Sequence, residues 1–173
     1  MTDLATLDAT TLAALIRQGE ITATEVLDAT LARIAAQTPR LNAIVTLTED
    51  EARSAARAID AARAKGDPLP PLAGVPVTVK VNVDQQGHAT TNGLRLQSAL
   101  VATEDNPVVS NLRRAGAVIV GRTNTPAFSL RWFTRNALHG QTLNPHDPAL
   151  TPGGSSGGAG AAGAPPGADV SAS

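Results

Sequence analysis

Two residue types set the chemical options of this sequence. Lys80 ends the β-branched run Gly74-Val75-Pro76-Val77-Thr78-Val79, and Ser155 and Ser156 sit inside Gly153-Gly154-Ser155-Ser156-Gly157-Gly158. A lysine at its ordinary pKa of ~10.4 is protonated near neutrality and makes a poor base. Burial beside a sheet, with no carboxylate nearby, lowers that value and leaves some free amine. A serine hydroxyl both donates and accepts, so Ser155 is suited to relay a proton between such an amine and a second hydroxyl. Lys80 and Ser155 are therefore the candidate catalytic residues. Gly153, Gly154, Ser156 and Gly157 are candidate substrate-binding or loop-backbone positions, because glycines allow close approach and leave amide hydrogens free for a substrate or an oxyanion. Taken singly, each feature has a plainer structural alternative, a solvated lysine and a glycine-serine linker.

Other chemistries lack their residues or their order. The chain has no cysteine, so a disulfide framework, a thiolate zinc site and a cysteine nucleophile are excluded together. His88, His139 and His146 show no metal-ligand spacing and are expected at the surface, and neither metal nor cofactor is expected. Gly158, Gly160 and Gly163 fit the dinucleotide fingerprint, but a proline-punctuated loop precedes them and no acidic residue follows at the required distance. Gly153, Ser155 and Gly157 fit a nucleophile elbow, yet that mechanism needs a histidine downstream and all three lie upstream.

Five blocks, taken in order, resemble the amidase signature family. They are Gly74 to Lys80, Thr90-Thr91-Asn92-Gly93, Gly121-Arg122-Thr123-Asn124-Thr125-Pro126, Asn144-Pro145, and Gly153 to Gly158, together spanning residues 74–158. The resemblance implies an α/β fold, part of an α/β/α sandwich with a mixed sheet and the amino-terminal helices packed outside. It implies Ser-Ser-Lys hydrolysis of a carboxamide to a carboxylate and an amine or ammonia, on a small-molecule amide. By it Lys80 is the catalytic lysine and Ser155 the bridging serine, held through a cis peptide bond after Gly154.

Two departures stand out. Many members carry an aspartate directly after the lysine, where this sequence has Val81. The family places its nucleophilic serine roughly two dozen positions past the bridging serine, in a glycine-rich block, whereas 18 residues follow Ser155 here. Asp169-Val170-Ser171-Ala172-Ser173 resembles that block only loosely, so the nucleophile is expected to be missing and the chain to be inactive as written, a truncated or frameshifted piece with at most a binding role. From Gly157 to Ser173, 15 of 17 residues are Gly, Ala, Pro or Ser, which suits either a flexible end or a segment packed only through its backbone.

The elements that must position these residues follow from spacing. Leu12, Leu15 and Ile16 before Gly19 predict a helix over about 11–18, and Thr22 with Glu25 caps a second that Pro39 stops. A strand at 43–47 and a third helix opened by Thr48 and Glu51 follow, the latter ending at Lys65-Gly66 as a solvated outer helix. Beyond a turn-rich connector come the strand carrying Lys80, a helix from Asn106-Pro107 to Gly116 and a strand at 117–120, which predict at least one parallel pair. Asn82 and Thr123-Asn124 are candidates for hydrogen bonding around the lysine, and Phe128, Trp132 and Phe133 for core or pocket wall. The chain reads as a single partial domain, with a helical part at 1–66, a core at 74–158 and a low-complexity tail at 159–173. Net charge is −1 with no long run of one sign, so no nucleic-acid or anionic-membrane partner is expected. Without a leader or a membrane-length apolar run, a cytoplasmic location is expected, with self-association through exposed apolar surface.

Overall fold

Helix α1, Ala9–Gln18, starts where the Asp8 carboxylate accepts the Thr11 N–H at 2.9 Å and the Thr11 hydroxyl at 2.8 Å. The helix opens two residues earlier than spacing predicts because the Asp8 carboxylate is a strong acceptor for the orphan amides of the first turn. This structure, a computed structural model, describes residues 4–164. Helix α2, Ala23–Leu41, opens on the expected reciprocal box, with Thr22 N–H to Glu25 at 2.7 Å and Glu25 N–H to the Thr22 hydroxyl at 3.0 Å. It runs two residues past Pro39, since a proline in the last turn forfeits one N–H while Leu41 gains burial. In helix α3, Glu49–Ala64, the expected Thr48 box is absent. Thr48 is buried and spends its hydroxyl on the Ile119 carbonyl at 2.8 Å, leaving the acidic first turn to favour the helix dipole.

Strands β1, Ile44–Leu47, β2, Pro76–Lys80, and β3, Val118–Thr123, form a sheet in the order β1–β3–β2. Val118 N–H reaches Val75 O and Val81 N–H reaches Thr123 O, so β2 and β3 run parallel. Thr48 N–H reaches Val120 O while Asn124 N–H reaches Ala43 O, so β1 is antiparallel to β3. The sheet is mixed. All six residues of β3 are buried, as the middle strand requires. The chain passes from β2 to β3 through helix α4, Pro107–Arg114, capped by Asn106. Val109 is buried, whereas Val108 is 60% exposed because consecutive helical residues point about 100° apart.

The chain divides into two compact units. The first takes in Met1–Ala35, Leu47–Thr78 and Asn106–Gly121, and its core joins Leu12, Ile16, Val26, Leu27, Val118 and Val120 with Ala52 and Ala56 of α3. Alanine on that face of α3 lets its backbone lie close, and beside that face Arg53 pairs with Glu49 and Asp28. The second takes in Ala36–Thr46, Val79–Asp105 and Arg122–Ser173. It holds a small hairpin, β4 Arg135–Asn136 against β5 Gly140–Gln141, and helix α5, Gly157–Gly163. The first residues of the glycine-alanine segment are thus helical, with Ala161 packed against Leu41 and Ala43. A Cβ on Gly158 would lie 2.5 Å from both Asn124 N and O, so only glycine permits α5 to approach that backbone. Ser171 and Ser173 lie outside the described residues. Among the described residues no helix is long and apolar enough to cross a membrane.

Candidate active site

Lys80 is the last residue of β2, and beyond it the chain turns at once, with Val83 N–H closing onto the Lys80 carbonyl at 3.0 Å. Its flanking valines, Val79 and Val81, are buried on the other face of the strand, which fixes which way the lysine departs. Its Nζ donates to Ser155 Oγ at 3.0 Å and to Ser156 Oγ at 3.1 Å. The structure therefore brings the two sequence-selected residues to hydrogen-bond distance across 75 positions. Ser156 joins them through its side chain, where sequence spacing assigned it to the loop. Burial pushes the Lys80 ammonium below the usual lysine range, and among the described residues no carboxylate opposes that shift.

The serine loop is held from several sides. The Gly154–Ser155 peptide bond is cis. A Cβ on Gly154 would sit 2.5 Å from Arg131 O and 2.7 Å from Phe133 N, so this loop rests directly on the backbone of residues 131–133. Thr134 donates to Gly153 O at 3.0 Å, and Thr125 Oγ1 to Ser155 O at 3.2 Å. Thr125 also shares a bond of 2.9 Å with Ser129, which accepts from Asn82 Nδ2 at 3.1 Å. A string of side chains, Asn82, Ser129, Thr125, thus ends on the Ser155 peptide. Ser129 and Phe128 reach it with φ of +57° and +53°, a conformation uncommon outside glycine. Ser129 has no signal in the sequence beyond membership of the loop that follows Thr123-Asn124-Thr125-Pro126.

Other selected residues take different places. Asn124 is fully buried and serves the scaffold, donating to Thr142 and Gly140 and accepting from Asn136 Nδ2 at 2.7 Å. Thr123, the last residue of β3, is buried before it, and neither side chain hydrogen-bonds to Lys80. The aromatics are not core: Phe128 is 57% exposed, Trp132 89% and Phe133 45%. Left-handed backbone at Phe128 and Ser129 turns Phe128 outward, and Trp132 and Phe133 follow on the stretch against which Gly154 rests. Two open clefts of about 360 and 470 Å³ flank this loop, sharing Phe133 and Arg135 in their walls. His139, expected at the surface, is half-buried, with Nε2 3.2 Å from the Thr91 hydroxyl. Burial and then the charge of Arg122 hold its pKa below the usual histidine range. Among the described residues no group of three or more metal-ligating side chains is placed to hold an ion.

A family model for Amidase matches residues 25–172, most of the chain. The chain belongs to the amidase signature family. Among the relatives of this amidase signature chain, an indoleacetamide hydrolase of Bradyrhizobium diazoefficiens is 54% identical over 150 residues, which is 87% of this chain and 29% of the relative. Among solved structures, a bacterial aryl acylamidase of the amidase signature family superposes with a TM-score of 0.88 at 31% identity, covering 92% of this chain and 34% of its own. The peptide amidase of Stenotrophomonas maltophilia superposes with a TM-score of 0.85 at 34% identity, covering 91% of this chain and 34% of its own. The chain spans about a third of the length of the curated relatives it matches. These neighbours establish the α/β fold as that of amidase signature enzymes.

Proposed function

We propose that this chain carries the proton-handling part of an amide-hydrolysing site, in which Lys80 in its uncharged form is the base and Ser155 relays the proton. The observation that carries this reading is the 3.0 Å contact between a partly desolvated lysine and a hydroxyl able to donate onward. Removing a proton from a hydroxyl by a neutral amine, then returning it to the departing nitrogen, is the acid-base work that cleavage of a carboxamide to carboxylate and amine requires. No metal or cofactor enters the scheme. Gly153, Gly154, Ser156 and Gly157 form the substrate-facing loop; the Gly153 N–H is taken by the Thr151 hydroxyl at 3.1 Å, so the amides of Gly154, Ser156 and Gly157 are the ones offered to an oxyanion.

The substrate class we propose is a small aromatic carboxamide. Support comes from the 54% identical indoleacetamide hydrolase and from Phe128, Trp132 and Phe133 on the loop against which Gly154 rests. The 173-residue polypeptide alone is proposed not to complete turnover, since the resemblance puts the nucleophile beyond Ser155 in a block that the sequence does not reproduce. The exposed apolar side chains, Leu96 and Trp132 foremost, support self-association of that polypeptide.

Two measurements on the purified chain test this. Phenylacetamide and indole-3-acetamide should be hydrolysed no faster than by Lys80→Ala. Turnover that disappears in Lys80→Ala would show that a serine within the chain attacks the substrate. Amine acylation followed by mass spectrometry should give Lys80 a lower pH midpoint than Lys65, the only other lysine, which is exposed. Coincident midpoints would rule Lys80 out as the base.

A further inference from the structure

Arg122 is the largest fully buried side chain among the described residues, at 1% exposure, and the reading of Lys80 and Ser155 gives it no task. It lies on β3, the strand that pairs with β2. Its Nη2 donates to Val83 O at 2.6 Å and reaches Lys80 O at 3.5 Å, while Nη1 donates to Ala89 O at 2.8 Å. All three acceptors are main-chain carbonyls of one segment, the stretch that leaves β2 at Lys80 and returns before Thr90-Thr91. Asp84, the carboxylate whose charge acts on Arg122, accepts from the Thr90 hydroxyl at 2.6 Å instead of forming an ion pair with the guanidinium. Burial lowers the Arg122 pKa and Asp84 acts against that shift.

A buried cation without a bonded carboxylate is a costly way to fill space, and an apolar side chain of similar length would stabilise packing as well or better. What an apolar chain lacks is the planar fork that holds several acceptors at fixed angles. We propose that Arg122 is the positioning residue for Lys80: by tying the carbonyls of Lys80, Val83 and Ala89 together it fixes the strand end and the turn from which the amine reaches Ser155. The proposal rests on the reading of Lys80 as the base. Asp84 and His88 are the titratable groups of the tied segment, Arg122 and His139 lie beside it, Arg131 lies under the serine loop, and the hydroxyls of Ser155 and Ser156 face the amine directly.

The test uses the pH midpoint of Lys80 acylation, with Lys65 as the internal reference, in the whole chain carrying Arg122→Met or Arg122→Lys, each checked for its fold by circular dichroism. A merely structural arginine would change stability and leave this midpoint alone. With the fork removed, the strand end is freed, the amine is better solvated, and the Lys80 midpoint should rise to that of Lys65. A rise of roughly one pH unit is about a tenfold drop in free amine at fixed pH. Arg122→Lys, with one ammonium for three carbonyls, should give a smaller rise. A folded Arg122→Met chain with the wild-type midpoint overturns the proposal while leaving Lys80 as the base. Coincident Lys80 and Lys65 midpoints in the unmodified chain overturn the underlying reading instead. Should methionine at 122 prevent folding, Arg122→Lys decides by the same criterion.

Discussion

The interiors of the two units rest on different physics. In the first, eleven buried apolar residues from α1 to β3 form one cluster, in which each fully buried Leu, Ile or Val contributes about 1.5 to 3 kcal/mol, largely independent of orientation. In the second, among the described residues, the apolar cluster is Leu41, Ala43 and Ala161, with Val79 and Val81 buried besides, whereas Gln85, Thr90, Thr91, Arg122, Thr123, Asn124, Thr125, Thr134 and Thr142 are all buried. Polar interiors are directional. They tolerate replacement badly and fix geometry well, which is what a lysine and two serines meeting at 3.0 and 3.1 Å need. The unit that carries the candidate site is the one built from hydrogen bonds.

Volume-conserving substitutions break or sharpen this contrast most directly. Asn124→Leu keeps the size of the side chain but strips Thr125 N–H and Asn136 Nδ2 of an acceptor, and Gly140 O and Thr142 Oγ1 of a donor. At about 1 to 3 kcal/mol for each buried group left unpaired, a loss of roughly 3 kcal/mol or more in urea unfolding is expected. The contrast fails if this variant is as stable as the parent. Gly158→Ala comes next, because its methyl would meet the Asn124 backbone at 2.5 Å, and overpacking of that kind costs about 1 to 3 kcal/mol. Leu27→Met, in the apolar cluster, should cost under about 1.5 kcal/mol.

Gly160→Ala makes the matching control in α5. Nothing lies within 4 Å of its added methyl, so helix propensity alone should act and raise the thermal midpoint by the equivalent of about 0.5 to 1 kcal/mol. The smallest effect is a slope. Because the folded Lys80 pKa lies below the unfolded value, the unfolded state binds more proton in the interval between them. The burial penalty is therefore complete below the folded pKa and fades as pH rises toward ~10.4, so the parent should gain stability relative to Lys80→Met over that interval. A parallel pH profile for the two proteins would mean that the lysine is solvated as in the unfolded chain.

What was legible in the sequence follows the same division. Helices α1 and α2 and strand β1 could be read to within two residues, since apolar spacing and side-chain caps are local signals. Lys80 at a strand end and its meeting with Ser155 were legible because five short blocks occur in one order. Legibility ended where a side chain had two possible partners. Thr48 looked like a helix cap and instead bonds Ile119 O, a choice made by a residue 71 positions away. The burial of Arg122, the string from Asn82 through Ser129 to Ser155, and the outward turn of Trp132 leave no periodic trace. Nor does helix α5, whose glycines and alanines have weak propensity and gain their place from the Asn124 backbone beneath them.

The paired contacts of Lys80 have one further consequence. An ammonium carries three hydrogens and no lone pair, so toward it the hydroxyls of Ser155 and Ser156 stand as equals, both accepting. A neutral amine has a single lone pair, and only one of the two hydroxyls can point its hydrogen there. Losing one proton therefore breaks the symmetry of the fork: two chemically identical serines become donor and acceptor, and the direction in which a proton can travel is chosen at the moment the lysine gives up its charge.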